Sequence, residues 1–298
     1  MKLNNLKQRL RRRYNWLYAP FPEVVNRWIR SQWGAYNYIC KQVDLPLKYV
    51  KEYPHTDEHR KTIWIFWNQG EEKAPELVKK CINSARRYCP KDWTVSVLDI
   101  DSAKNLSDLP AFIWERYTNG VIPNAQFSDL LRTSLLLRWG GIWADSTVFW
   151  TSQIPNDIIS QPLFLFQSPL LTEYASPIKC SSWFIKADKN NPLLARVLDL
   201  LLQYHEKYQV LIHYYIYHLT IAALINNNAK LFVLWDNIPY YDNNRPHIMQ
   251  NWFGKSYSEE RWGKILEQSF VHKLTYKYDK KLLDDKDNVL NYILNNYE

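Results

Sequence analysis

The residues best suited to chemistry are concentrated in one stretch, residues 124–150, which reads NAQFSDLLRTSLLLRWGGIWADSTVFW. Asp129 and Arg132 are three residues apart, so a helix would place them on one face. Asp145 follows a short apolar segment of the kind that forms a buried strand. In open α/β sheets ligands bind beyond the carboxyl ends of the strands, so a carboxylate at that place is well suited to hold a metal ion.

The elements that would position these residues are a helix and a strand joined by a glycine pair. Leucines recur at helical spacing before Gly140 and Gly141, which stand where a helix end favours a left-handed residue. Residues 142–144 then form the buried strand. A plain surface ion pair is the alternative interpretation of Asp129 and Arg132, but it does not explain the glycines, strand and carboxylate that follow.

A strand–helix–strand pattern lies upstream of this stretch. Residues 63–67 are apolar on both faces, as in a central parallel strand, and end at Asn68. A helix over residues 75–88 and a strand over residues 93–98 follow, an order that gives a right-handed crossover between parallel strands. We therefore predict an α/β domain with Asn68 and Asp145 at the carboxyl edge of its sheet.

The ordered set of Ser128, Asp129, Arg132, the glycine pair and Asp145 resembles the sugar-nucleotide site of the DxD-type glycosyltransferases of family 32. That group includes the capsular polysaccharide synthesis proteins, to which GGIWADSTVFW is most similar. It also includes the yeast initiating mannosyltransferases and, more distantly, the clostridial glucosylating toxins. The resemblance covers roughly residues 60–280 and implies a GT-A fold, in which a single Rossmann-like mixed sheet is flanked by helices.

The resemblance implies a role for each matching residue. Asp129, Arg132 and Asp145 would be catalytic, with Arg132 on a sugar hydroxyl or phosphate oxygen and Asp129 on ribose or sugar hydroxyls. Trp67 stands where the resembling enzymes place an aromatic ring against the nucleotide base, and a core position is its alternative. The residues implied to bind the donor are Trp67, Asn68, Ser128, Asp129, Arg132, Ala144, Lys273 and Lys277.

A divalent metal, Mn²⁺ or Mg²⁺, is the cofactor that the resemblance implies. Asp145 would hold it with help from Thr147 and from His272, which belongs to a terminal HKLT segment like the one that ends the capsular-branch domain. Thr147 stands where the wider family has a second aspartate, so the metal would need oxygens from diphosphate, water or other residues. An ordinary surface position is the alternative interpretation of His272.

The resemblance implies a retaining transferase that moves a sugar from a UDP- or GDP-linked donor to a glycan acceptor, lipid-linked and destined for the cell surface. No carboxylate stands out as a covalent nucleophile, so we expect front-face attack. One alternative is a catalytically silent sugar-nucleotide-binding subunit of a polysaccharide assembly complex, which the change at Thr147 supports. Another is a toxin-like effector that acts on a host protein. Nucleic acid is not an expected partner, because the catalytic region is near neutral and carries no recognised motif.

The net charge of +8 arises from the N-terminal segment. Residues 1–50 contain ten Lys or Arg against two acidic residues, and the rest of the chain is close to neutral. We predict a basic helical extension over residues 1–58, the GT-A domain over residues 59–280 and a polar C-terminal helix over residues 281–298. The extension suits an anionic membrane surface, and a solvated basic arm is the alternative.

Composition indicates a globular protein, with 46% hydrophobic and 23% charged residues. The four cysteines show neither CxxC spacing nor the density of a disulfide scaffold, and the N-terminus lacks the apolar core of a signal peptide. We therefore expect a cytoplasmic protein, soluble or peripheral on the inner face of the cytoplasmic membrane.

An apolar helix is predicted over residues 210–225, too short and too interrupted by polar rings to span a bilayer. We interpret these rings as core or interface residues, with a place in an acceptor groove as the alternative. The residues concerned are His213, Tyr214, Tyr217 and His218.

Overall fold

The structure is a computed structural model that describes residues 31–54, 61–169 and 175–295. The predictions made for residues 1–30 and 296–298 lie outside these described residues. The strands of the described chain are β1 Thr62–Phe66, β2 Thr94–Leu98, β3 Gly141–Ala144, β4 Val148–Trp150, β5 Leu163–Gln167, β6 Cys180–Ala187 and β7 Val271–Lys273.

The helices of the described chain are α1 Gln32–Cys40, α2 Glu76–Arg87, α3 Ile100–Leu106, α4 Ala111–Thr118, α5 Asn124–Trp139, α6 Asn156–Ile159, α7 Pro192–Lys207, α8 Ile216–Asn227, α9 Ala229–Asp236, α10 Ile248–Asn251, α11 Glu259–Leu266 and α12 Val289–Asn295. Local signals start several of them. The Asn191 side chain, for example, accepts hydrogen bonds from the N–H groups of Leu193 and Leu194 and so caps α7.

The main sheet has five strands in the order β2-β1-β3-β6-β5. β1 pairs in parallel with both β2 and β3, whereas β6 is antiparallel to β3 and β5. The mixed α/β sheet flanked by helices that the sequence predicts is therefore confirmed. A second sheet, formed by the antiparallel pair β4 and β7, was not predicted.

The register of β1 and β3 explains why distant residues meet. Ile63 pairs with Ile142 and Trp64 with Trp143, so these parallel strands end at the same edge of the sheet. Asn68, just past β1, and Asp145, just past β3, therefore leave the sheet side by side.

The glycine pair between α5 and β3 is required by geometry. Both residues have positive φ, 75° at Gly140 and 99° at Gly141, which L side chains rarely adopt. A β carbon at Gly140 would lie 2.9 Å from the backbone nitrogen of Lys189, and one at Gly141 would overlap the carbonyl oxygen of Thr62. Only glycine lets β3 begin this close to β1.

Large aromatic side chains fill the core around the sheet. Trp64, Trp143 and Trp150 are all essentially inaccessible, and α5 is buried along most of its surface. A smaller apolar cluster beneath β4 joins Phe149 to Leu290 of α12. Because α5 and β3 both lie in this core, the polar side chains that they carry are held in place by packing.

Residues 31–54, the described part of the predicted extension, pack against the domain. α1 contacts α8, and the loop after it runs along α7. There the fully buried Asp199 carboxylate accepts three backbone hydrogen bonds, from Lys48 at 2.9 Å, Tyr49 at 2.7 Å and Val50 at 3.1 Å.

Two helices begin later than the sequence indicates. The apolar helix predicted from residue 210 begins at Ile216, because the Tyr204 hydroxyl bonds the carbonyl of Val210 and the N–H of Ile212 and holds that stretch as a loop. No helix of the described residues has both the length and the apolar character needed to cross a membrane.

The C-terminal helix also differs from the prediction of a polar helix over residues 281–298. A 3₁₀ turn, Lys280–Leu283, comes first, and α12 begins only at Val289. The face that includes Leu290 and Ile293 is buried. The helix is amphipathic, and its apolar side closes the smaller core.

Candidate functional site

A cavity of about 380 Å³ opens at the carboxyl edge of β1 and β3. Its walls come from the loop after β1, from α5, from the loop after β3, from β7 and from the segment around the start of α8. The predicted residues that line it are Trp67, Asn68, Ser128, Asp129, Arg132, Asp145, Thr147 and Lys273.

Arg132 ties the helix to the strand inside this cavity. One terminal nitrogen donates to the Asp129 carboxylate, and the other donates to Ser128 Oγ at 3.2 Å and to Asp145 Oδ1 at 3.0 Å. The guanidinium is almost completely buried and lies 5.2 Å from the centre of the Trp143 ring. Charged hydrogen bonds away from water are strong, so α5 and the end of β3 form one rigid unit.

The Asp145 carboxylate receives donors on both oxygens. Oδ1 accepts from Arg132 and, at 2.9 Å, from the Trp143 indole nitrogen, while Oδ2 accepts from Lys273 Nζ at 3.0 Å. The backbone N–H of Asp145 donates to the carbonyl of Trp183 at 2.8 Å. Both the backbone and the side chain of this residue are thus fixed.

Lys273 reaches the cavity through the small second sheet. Val148 pairs with Lys273, and the N–H of Leu274 donates to the carbonyl of Thr147 at 2.9 Å. This pairing places Lys273 Nζ 2.5 Å from Thr147 Oγ1 as well as beside Asp145. The ammonium therefore bridges the first and third side chains of the DST segment.

The two carboxylates of the cavity differ in pKa. Burial raises the pKa of Asp129 to about 7, because Arg132 only partly offsets the loss of water and Asp145 adds repulsion. Burial alone would also raise the pKa of Asp145, but Lys273 and Arg132 outweigh it, so this pKa lies below its usual range. Asp145 thus stays ionised at neutral pH, whereas Asp129 holds its proton more strongly than an ordinary carboxyl does.

Aromatic and amide groups line the wall after β1. Trp67 is half-buried, and its ring packs edge-on against Tyr276 with 5.4 Å between ring centres. The indole nitrogen of Trp67 and Oδ1 of Asn68 are buried and have no hydrogen-bond partner among the described residues. Buried polar atoms normally have partners, so these two are suited to bind a ligand.

Three predicted site residues lie outside the cavity lining. Ala144 and His272 are fully buried, because side chains alternate along a strand and their neighbours Asp145 and Lys273 are the ones that face the cavity. Burial lowers the pKa of His272 to about 3. Lys277 lies beyond β7 on an exposed segment.

The residues present do not fit a divalent metal. Among the described residues, no three His, Cys, Asp or Glu side chains gather where they could share an ion. Of the predicted ligands, His272 faces away, Thr147 accepts a hydrogen bond from Lys273, and both oxygens of Asp145 are bonded to cations. A second cation at this position would be repelled by the first.

Several cavity residues were not predicted. Trp143 in β3 lies two residues before Asp145, and the period-two alternation of a strand would have placed the two side chains on the same face. Tyr214 and His218 also line the cavity, so the core interpretation is wrong for them, whereas Tyr217 is fully buried as expected. Tyr276 and Ser182 carried no signal in the sequence, because tertiary packing alone brings them here.

The chain matches one protein family over nearly its whole length. Residues 30–293 match the family described as capsular polysaccharide synthesis protein. The chain belongs to this family. The residues that match the capsular polysaccharide synthesis family include α1, the residues of the cavity and most of α12.

Several curated fungal proteins are similar to parts of this family member. Glycosyltransferase afumC of Aspergillus fumigatus is 35% identical over 31% of this chain and 26% of its own length. O-glycosyltransferase braB of Annulohypoxylon truncatum is 32% identical over 47% of this chain and 36% of its own. O-glycosyltransferase PaGT of Phomopsis amygdali is 27% identical over 49% of this chain and 39% of its own length. The chain spans well under two thirds of the length of these relatives.

A solved structure is also similar to this chain. The PaToxG glycosyltransferase matches 80% of this chain and 94% of its own, with 15% identity and a TM-score of 0.41.

Proposed function

We propose that this protein is a glycosyltransferase that takes a sugar from a nucleoside diphosphate sugar and adds it to a hydroxyl group of a glycan acceptor. The observation that carries the proposal is the Asp145 carboxylate, held between Arg132 and Lys273 in a cavity at the carboxyl edge of the sheet. Family membership and the glycosyltransferase names of the curated relatives support it.

The two cations suit the leaving group. Breaking the bond between the sugar and the diphosphate leaves negative charge on a phosphate oxygen, and preorganised cations stabilise such charge strongly away from water. Arg132 and Lys273 bond different oxygens of Asp145 and both line the cavity, so we place both of them at one diphosphate. The ring of Trp67 would stack on the uracil or guanine base, with Asn68 bonding the ribose or the base.

We propose that transfer retains the anomeric configuration, as in the enzymes that the sequence resembles, without a covalent sugar intermediate. Asp129 and Asp145 are the acidic residues that line the cavity, and Arg132 engages both. Neither is free to form a covalent sugar intermediate. For a retaining transfer, the acceptor oxygen would form its bond to the anomeric carbon on the face that the diphosphate leaves, and its proton would pass to the departing phosphate oxygen.

The acceptor side of the cavity would be the wall opposite Trp67. Tyr214, 59% exposed, and His218 line this wall, and Gln126 fixes it by donating to the carbonyl of Tyr214 at 2.7 Å. An exposed tyrosine ring suits the apolar face of a sugar. Two relatives are named O-glycosyltransferases, which supports an oxygen acceptor.

The test is donor turnover with a panel of UDP- and GDP-sugars, measured as nucleoside diphosphate released by the wild type and by Asp145→Asn. Slow release from one donor, at least about 100-fold slower in the variant, is the expected result. Donor binding without any release, even with lipid-linked oligosaccharide acceptors, would instead favour a catalytically silent sugar-nucleotide-binding subunit.

We propose further that the acceptor is lipid-linked and that the basic segment over residues 1–50 holds the enzyme at the inner face of the cytoplasmic membrane. The concentration of the net charge in that segment supports this placement. The full chain should sediment with phosphatidylglycerol vesicles and not with phosphatidylcholine vesicles. Equal sedimentation with both, or with neither, would contradict it.

A further inference from the structure

Lys273 lies where the charge of a diphosphate-binding metal would be needed. Its Nζ is 3.0 Å from Asp145 Oδ2 and 2.5 Å from Thr147 Oγ1, the side chains at the first and third positions of the DST segment. In a D-x-D site those two positions carry carboxylates that share a divalent cation. Here a lysine ammonium lies between them instead.

The charges of the surrounding side chains are balanced by a singly charged ammonium and leave no negative charge for a divalent ion. Asp129 and Asp145 contribute at most two negative charges, and Arg132 and Lys273 contribute two positive ones, within a single bonded group. Replacing the second aspartate by Thr147 removes one negative charge, and the hydroxyl oxygen accepts a hydrogen bond from a cation without adding charge. The group is neutral when Asp129 is ionised and positive when Asp129 is protonated, so a divalent ion would enter a site with no excess negative charge.

The ammonium is held by the fold before any ligand binds. β7 places Lys273 through backbone pairing with Val148, and the next residue, Leu274, bonds the carbonyl of Thr147. The Lys273 side chain is 20% exposed, so part of it remains open to the cavity. A donor phosphate can therefore meet a cation whose position is already fixed.

We propose that the Lys273 ammonium is the resident cation of this site, which binds the diphosphate of the donor and makes both binding and transfer independent of a divalent metal. Thr147 is the positioning residue that holds the ammonium toward the cavity. This inference rests on the proposed function for the identity of its ligand, a nucleoside diphosphate, and it differs from the metal dependence implied by the sequence.

The first experiment measures binding, so that it does not depend on turnover. The affinity of the full chain for UDP and for GDP is measured calorimetrically in EDTA and again in Mn²⁺. We expect the better ligand to bind with the same dissociation constant, within about twofold, in both conditions. Binding that appears only with Mn²⁺, or that strengthens about tenfold or more with it, overturns the proposal.

The second experiment tests the ammonium directly. Lys273→Met keeps the length of the side chain and removes the charge, and it should weaken binding in EDTA about 10- to 100-fold, as expected for a lost charged hydrogen bond. Mn²⁺ should not restore it. Lys255→Met, at an exposed lysine outside the cavity, is the matched control and should bind as the wild type does.

Lys273→Arg is the second variant, and it separates loss of the charge from a folding defect in Lys273→Met. Arginine keeps the charge, so it should retain binding in EDTA to within a few-fold. An arginine variant that melts like the wild type yet binds as weakly as Lys273→Met would overturn the assignment, because the charge would then not be what the site uses.

Turnover separates failure of this inference from failure of the proposed function. If a donor is consumed and EDTA stops the reaction, the transferase stands and the resident-cation proposal is wrong. If no donor is consumed even with lipid-linked oligosaccharide acceptors, although UDP or GDP binds equally in EDTA and Mn²⁺, the transferase proposal fails and the role of Lys273 in binding stands. If neither nucleotide binds under any condition, both fail.

Discussion

Gly141 lies against Thr62 so closely that a β carbon on the glycine would overlap the carbonyl oxygen of the threonine. This contact sets the distance between β3 and β1 and, with it, the distance between Asp145 and the loop that carries Trp67. The same glycine has a φ of 99°, a conformation that strains any L side chain.

Gly141→Ala should therefore destabilise the fold by about 2–4 kcal/mol, because overpacking and backbone strain both act at this position. Urea unfolding checks the value. Gly263→Ala is the control, since a β carbon at Gly263 in α11 meets nothing within 4 Å and alanine should stabilise that helix by about 1 kcal/mol. A cost below about 1 kcal/mol at Gly141 would show that β3 can shift away from β1.

Arg132→Gln should lose most of the activity and destabilise the protein more at pH 8.5 than at pH 6. The raised pKa of Asp129, about 7 against about 3.9 in the unfolded chain, means that stability falls as pH rises until this carboxyl is ionised. Without Arg132 the pKa of Asp129 rises further. The free energy of unfolding of the variant therefore continues to fall at higher pH, by about 1.4 kcal/mol per pH unit.

The measurement for Arg132 is urea unfolding at the two pH values, with Arg196→Gln as the control. Within the described part of the chain, Arg196 donates to the carbonyls of Val43 and Leu45, which do not titrate, so the cost of its loss should not change with pH. An equal loss of stability at pH 6 and pH 8.5 for the Arg132 variant would contradict the coupling between Arg132 and Asp129.

Trp67→Ala should weaken nucleoside diphosphate binding about 5- to 100-fold, the loss expected for one base stacked on one aromatic ring. Trp67→Phe should keep much of the affinity, because it keeps a ring in the same place. Calorimetry gives both values. Trp33→Ala changes a tryptophan of α1 that is 40% exposed and does not line the cavity, and it should leave the affinity unchanged. Full affinity in Trp67→Ala would place the base elsewhere.

His272→Leu should make the protein more resistant to acid. The pKa of His272 is lowered to about 3 from an ordinary value of about 6.5, so the folded chain binds one proton fewer than the unfolded chain between these values and loses stability as pH falls through them. Removing the imidazole should reduce the slope of stability against pH by about 1.4 kcal/mol per pH unit.

The slope is measured by urea unfolding between pH 4 and pH 6.5. His272→Gln cannot titrate in this range either, so both variants should flatten the slope equally even if their stability at pH 7 differs. An unchanged slope would mean that His272 binds a proton in the folded state.

The sequence was sufficient for elements that carry their own signals. The β1–α2–β2 crossover, the α5 helix with Asp129 and Arg132 on one face, and the strand that ends at Asp145 all follow from periodicity, glycines and spacing. Their meeting at one cavity follows as well, because parallel strands end at the same edge.

The rest depends on contacts between distant parts of the chain. The contact between Lys273 and Thr147 spans 126 residues and exists because β7 pairs with β4, two strands of three residues each that have no periodicity to read. For the same reason His272 could not be assigned to a face before its strand was known, and the structure places it in the core and not in the lining of the cavity.

The three backbone hydrogen bonds to Asp199 also connect the segment after α1 to the rest of the domain. These bonds connect residues 48–50 directly to α7, and α7 packs on α5. Residues 48–50 therefore keep a fixed position relative to the helix that carries Asp129 and Arg132. Removal of residues 1–54 would break this connection and leave Asp199 as a buried charge without its three backbone N–H donors, so this truncation should destabilise the domain.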